Sequence, residues 1–244
     1  MGAWGYGILQ NDDAQDGLVD LIRFLEEDFL RIGRGRCNER GAARLGAAVG
    51  LLLQLGACRS FSPDSLFSSN VAAYLDYFAP QIGALPRRAR TLLHAVFDGK
   101  GPGLAARRGK MSRLLRQALF ATEKNGFPME RVFSRREPAL FEHREAARYV
   151  QEFADHCVSV VEADFQSVAT VDELYRSHGM AAFGTLLVLE PCHVKPSKFV
   201  AWRKRWHAVL AAHDEEFEPD DFEREYNKNV ELAFQLAMTK FAKK

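Results

Sequence analysis

The sequence predicts an all-α protein, about nine helices forming one compact body or two tightly packed helical halves. Two observations carry that expectation. Apolar residues recur three and four positions apart in segment after segment, the spacing that places them on one helix face. Helix start signals precede those segments, with capping side chains at Asn11, Ser62 and Thr170 and prolines at Pro63, Pro86, Pro138, Pro196 and Pro219. At 244 residues, 47% hydrophobic and 27% charged, the chain is of ordinary globular composition and long enough to bury a substantial core.

The chain opens Gly2-Ala3-Trp4-Gly5-Tyr6-Gly7, three glycines around two large rings, which suggests backbone folded tightly against apolar side chains. Asn11 then reads as a helix N-cap, with Asp12 and Asp13 beside the positive end of the helix dipole. The first helix runs from about Asp12 to Arg31, with Ala14, Leu18, Leu21, Ile22, Leu25 and Phe29 on its buried face and acids on the other. The Gly33-Arg34-Gly35-Arg36 loop ends it. Asn38 or Glu39 opens a second helix, whose Leu45, Val49, Leu52 and Leu53 stand among alanines and glycines that permit close helix approach.

Helical spacing resumes after Ser62-Pro63 through Val71, Tyr74, Leu75 and Phe78, and again after Pro86 through Leu92, Leu93, Val96 and Phe97. Lys100-Gly101-Pro102-Gly103 is the clearest loop, and Met111 to Lys124 is helical once more. The pattern breaks between Phe127 and Glu137, so residues 1–126 and 138–244 form the two expected halves. Pro138 initiates a long helix with Phe141, Val150, Phe153, Cys157 and Val161 inward. Thr170 and Glu173 have the spacing of a capping box, and His178-Gly179 reads as a stop. Met180 to Leu189 is ambiguous between strand and helix, and its helical neighbours favour helix. Pro196-Ser197 opens a helix displaying Trp202, Trp206, Val209 and Leu210. Pro219 opens the last, with Phe222, Tyr226, Val230, Phe234, Ala237 and Phe241 as its stripe.

The residues Gly2, Ala3, Trp4, Gly5, Gly7, Asn11, Asp12, Asp13 and Ala14 carry a resemblance. Over about its first 60 residues the chain resembles a bacterial family of unknown function that opens Gly-Ala/Thr-Trp-Gly, then a short Gly-containing loop, then Asn-Asp-Asp-Ala. Some relatives sit among suspected toxin-immunity systems, so the resemblance implies a binding role, with Trp4, Gly5, Tyr6, Gly7, Asn11, Asp12 and Asp13 as its structural motif.

Charge is segregated along the chain. Residues 1–30 hold one arginine against seven acids, residues 31–136 hold 19 Lys and Arg against 6 acids, and residues 137–244 hold 13 against 19. Blocks of this kind can neutralise one another in the fold or steer a charged partner. Asp214, Glu215, Glu216, Phe217, Glu218, Asp220 and Asp221 make the densest acidic segment, read either as a solvated interhelical turn with an acid-rich helix start or as a docking surface for a basic protein. Arg87, Arg88, Arg90, Arg107, Arg108, Lys110, Arg113 and Arg116 suggest phosphate contacts, but near-neutral overall charge and little aromatic interleaving argue against a nucleic-acid partner.

Asp12, Asp16 and Asp20 share a helix face, an arrangement in which carboxylates hold magnesium in some helical phosphohydrolases. A second helix normally supplies further carboxylates, and the second helix here has no Glu-x-x-Glu, so a solvated acidic face is the plainer account. Cys37, Cys58, Cys157 and Cys192 form no Cys-x-x-Cys pair, and the seven histidines form no zinc motif. Asp155-His156-Cys157 and Cys192-His193 juxtapose a nucleophile and a base, but neighbours on a helix diverge by about 100 degrees, so core cysteine beside surface histidine is expected. No apolar run approaches the roughly 18 residues needed to span a bilayer, and no secretory signal opens the chain. The expectation is a cytoplasmic, non-catalytic protein without cofactor, most plausibly an immunity protein that neutralises a cognate toxin. A magnesium enzyme using Asp12, Asp16 and Asp20 on a phosphorylated small molecule is the second reading, and an RNA-binding module using the basic middle is the third.

Overall fold

The Asn11 carboxamide accepts the Ala14 amide at 2.7 Å from an extended backbone, and helix α1 (Asp12–Arg34) begins there. The computed structural model describes residues 7–35, 38–58, 83–87, 143–189, 192–212 and 220–242. Within them the chain is all-α, six helices of ten residues or more and one short one. The segments expected to be helical between Ser62 and Lys124 lie outside the described residues, apart from the few around Pro86, as does the 127–137 break.

Ahead of α1, Gly7 and Gln10 close a tight turn. The Gly7 amide donates to Gln10 Oε1 at 2.9 Å and the Gln10 amide to the Gly7 carbonyl at 2.8 Å. Gln15 Nε2 reaches back to the Leu9 carbonyl at 2.6 Å, which presses fully buried Ile8 and Leu9 into the core. Among the described residues, these two aliphatic side chains fill the core ahead of α1. Trp4, Gly5 and Tyr6 lie outside the described residues.

Every residue expected on the inner stripe of α1 is buried, because 3.6-residue periodicity and apolar burial demand the same face. α2 (Glu39–Cys58) follows, capped by Asn38 Oδ1 on the Gly41 amide at 2.9 Å. α3 (Arg144–Ser167) starts six residues later than Pro138 suggests. His143 is extended and its Nδ1 accepts the Glu145 amide at 3.2 Å, so the cap rather than the proline sets this start. Arg44 of α2 pairs with Glu152 of α3 at 2.5 Å, and Arg40 with Glu145 at 3.0 Å, laying α2 along α3.

α4 (Val171–Tyr175) opens on the expected capping box, Thr170 Oγ1 accepting the Glu173 amide and Glu173 accepting the Thr170 amide at 3.0 Å. His178-Gly179 is a beginning rather than a stop. α4 has already ended at Tyr175, and Gly179 is the first residue of α5 (Gly179–Val188). The reason is Asp164, at the end of α3. Its Oδ2 accepts the Gly179 amide at 2.9 Å and the Ser177 hydroxyl, so a carboxylate from another helix does the capping. The ambiguous apolar run is therefore helical, and nine residues of the ten in α5 are buried.

α6 (Pro196–Ala211) has proline at its first turn, as expected. α7 (Asp221–Phe241) opens on a second capping box, Asp220 with Glu223, at the positions where the sequence shows only a proline and a run of acids. Phe183 of α5 packs on Phe199 and Trp202 of α6 and on Phe234 of α7, with ring centroids 6.2, 6.3 and 4.7 Å away. At the other end of α5, Lys240 Nζ donates to the Leu187 and Leu189 carbonyls at 2.9 and 2.6 Å. The buried side chains of α1 and α2 belong to one apolar cluster with those of α3 to α7, so the described parts of both halves share a core.

Candidate protein-binding cleft

Gly17 fixes how close α1 comes to the start of α5. A Cβ built there would lie 2.9 Å from Ala181 Cβ and 2.9 Å from the His178 carbonyl oxygen. From Gly17 onward along α1 runs a cleft of about 400 Å³ between α1, α3 and His178. Leu21, Phe24 and Val160 supply its apolar lining, and Asp20, Arg23, Glu27, His156 and His178 its polar groups.

Phe24 is 38% exposed, one of two large hydrophobic side chains exposed among the described residues, with Val200 the other. Its ring stacks on the His156 imidazole with centroids 3.9 Å apart and planes 7° from parallel. Partial burial against that ring lowers the His156 pKa, because a buried imidazolium loses hydration. Asp20 is approached by Arg23 and His178, each at 3.6 Å, and all three side chains are about half exposed or more. Exposed pairs of this kind contribute about 0–1 kcal/mol and leave the carboxylate available. Glu27 is exposed and has no ion-pair partner among the described residues. α1 as a whole carries seven acids against three arginines, and two of those acids, Asp20 and Glu27, line the cleft beside Arg23.

The sequence-selected residues fall in different places. Asp12, Asp16 and Asp20 are all exposed on α1, yet Asp20 turns to Arg23 and His178. Among the described residues no three carboxylates, imidazoles or thiols are arranged to hold a metal ion. Asn11 and Asp13 belong to the helix start, as does Asp12. Asp220 caps α7, and Asp221 pairs with Arg224 at 2.5 Å. Asp214, Glu215, Glu216, Phe217 and Glu218 lie outside the described residues, as do all of the basic run except Arg87, which is exposed.

Cys157 and Cys192 are buried free thiols, and burial raises the Cys157 pKa far from the thiolate range needed for nucleophilic work. His156 departs from expectation. It is a half-buried platform under Phe24 rather than a solvated surface side chain. The sequence did hold one sign of the cleft, since Phe24 falls off the apolar stripe of α1. No local pattern pairs it with His156, 132 residues away.

Among the described residues no helix is long and apolar enough to cross a membrane. No protein-family model, curated protein or solved structure matches the chain.

Proposed function

We propose that this chain is a non-catalytic binding protein of the immunity type, which neutralises a cognate toxin by direct association and occlusion of its active site. The observation that carries the reading is the exposed Phe24 in a cleft flanked by the carboxylates Asp20 and Glu27 of α1. An aromatic side chain left part-exposed in a concavity suits a protein interface, where aromatic anchors supply affinity and rim charges set orientation and on-rate. The N-terminal resemblance and the segregated charge support the same reading. The partner would be basic where it meets α1.

The test is to co-express the chain with the product of the adjacent gene and score both rescue of growth and co-purification at high salt. A stoichiometric complex that restores growth is the expected result. Rescue without a complex, or a complex without rescue, would sink the occlusion mechanism.

A further inference from the structure

We infer that the cleft between α1, α3 and His178 receives an arginine side chain projected by the basic protein partner, an inference that rests on the protein-binding reading above. Asp20, Phe24 and Glu27 sit at i, i+4 and i+7 of one helix, so they form a single strip with the ring in the middle and a carboxylate one turn to either side. The strip spans about 10 Å at a 1.5 Å rise per residue. His156 backs the ring at 3.9 Å and holds it in place, while 38% of Phe24 remains open to the cleft and solvent.

The chemistry of that strip selects among guests. A long aliphatic stem matches the apolar lining of Leu21 and Val160. A cation matches the flanking carboxylates, of which Glu27 has no ion-pair partner among the described residues and Asp20 has only loose ones. A planar, weakly hydrated cation stacks on an aromatic ring while donating sideways to carboxylates, which guanidinium does and ammonium does less well. An anionic guest such as a phosphate backbone would meet Asp20 and Glu27 head on. Arg23 lies beside the strip and is 70% exposed, so it can swing into solvent as a guest arrives.

Titration of the full isotope-labelled chain with a short arginine-leucine peptide tests this at low salt, beside twins carrying citrulline or lysine in place of arginine. Citrulline keeps the shape of arginine and removes its charge. The arginine peptide is expected to shift amide signals of residues 17–27 and the His156 ring, and to bind about tenfold more tightly than the citrulline twin and about threefold more tightly than the lysine twin. Phe24→Ser and Glu27→Gln should each weaken it about fivefold or more, with helical circular dichroism unchanged because both side chains are at the surface. Equal binding of the three peptides, shifts mapping away from the cleft, or full affinity in the Glu27→Gln variant would overturn the inference. The two readings fail separately. A toxin still neutralised and bound undiminished by both variants leaves the immunity function standing and removes the arginine site. Arginine-selective binding in the cleft with no neutralised partner does the reverse.

Discussion

Gly17 is the residue on which the cleft depends, because any side chain there collides with α5 on two sides. Neither obstacle is the end of a flexible side chain. One is the Ala181 Cβ and the other a backbone carbonyl, so α1 must move. Gly17→Ala should destabilise the protein by about 1–3 kcal/mol, more than the helix propensity of alanine returns. Chemical denaturation would show it as a lower midpoint at unchanged slope, and an unchanged midpoint would mean that α1 tilts freely. What was legible at this scale was local. Asn11 and the Thr170 and Glu173 box are fixed by partners three residues away, and the sequence shows those directly. Phe24 with His156, and Asp164 with Gly179, are fixed by partners 132 and 15 residues away, and no short-range signal encodes them.

Helices here are closed as much by one another as by their own caps. Asp164 ends near the close of α3 and caps α5, and Arg205 of α6 donates to the Phe165 and Val168 carbonyls at the close of α3, at 3.2 and 2.5 Å. Removing the carboxylate in Asp164→Ala should cost about 1–2 kcal/mol, the range for a lost N-cap, while Asp164→Asn keeps an acceptor and loses less. Thermal unfolding of the two variants side by side makes the comparison, and equal losses would assign the effect to charge alone. This borrowed capping also explains the misread boundary at His178-Gly179. A glycine after a short helix reads as a stop, whereas its lack of a Cβ lets Asp164 approach the amide, since a Cβ would sit 2.8 Å from Asp164 Oδ2. Helix stripes, by contrast, were legible in α1, in α3 from Val150 to Val161 and in α7 from Tyr226 to Phe241, because burial in a helical core leaves a periodic record in the chain; Phe222 is only partly buried and Phe141 lies outside the described residues.

For the molecule as a whole, shifted acidities tie stability to pH, with His156 acting in the upper range and carboxylates such as Glu152 in the lower. Burial lowers the His156 pKa, so the unfolded chain takes up a proton there more readily than the fold does. That contribution is complete above about pH 6.5, the unfolded value, and is lost as pH falls below that and through the lower folded value. Hydrogen bonding to Arg44 holds Glu152 below the usual carboxylate range, and its contribution is complete above about pH 4.3 and lost as pH falls below that. Melting temperature should therefore decline in two stages on acidification. His156→Gln should abolish the upper stage and leave the lower, and a variant that melts in parallel with the parent at every pH would refute the assignment. The charge blocks in the sequence announced electrostatic order without revealing where it acts. The acidic opening of the chain becomes one wall of the cleft, while Arg40 and Arg44 of its basic middle pair with acids of α3 and most of the rest of that middle lies outside the described residues.

α5 has a consequence of a different kind. With nine of its ten residues buried and helices α1, α3, α6 and α7 around it, α5 is expected to open at a free energy close to that of global unfolding. Its amide protons should then be among the slowest to exchange with solvent, and their exchange rate a reporter of the folding equilibrium. The same amides begin one turn from the mouth of the cleft. A guest held beside Gly17 and His178 would slow their exchange in proportion to its occupancy, reporting a surface event from the most sheltered helix of the protein.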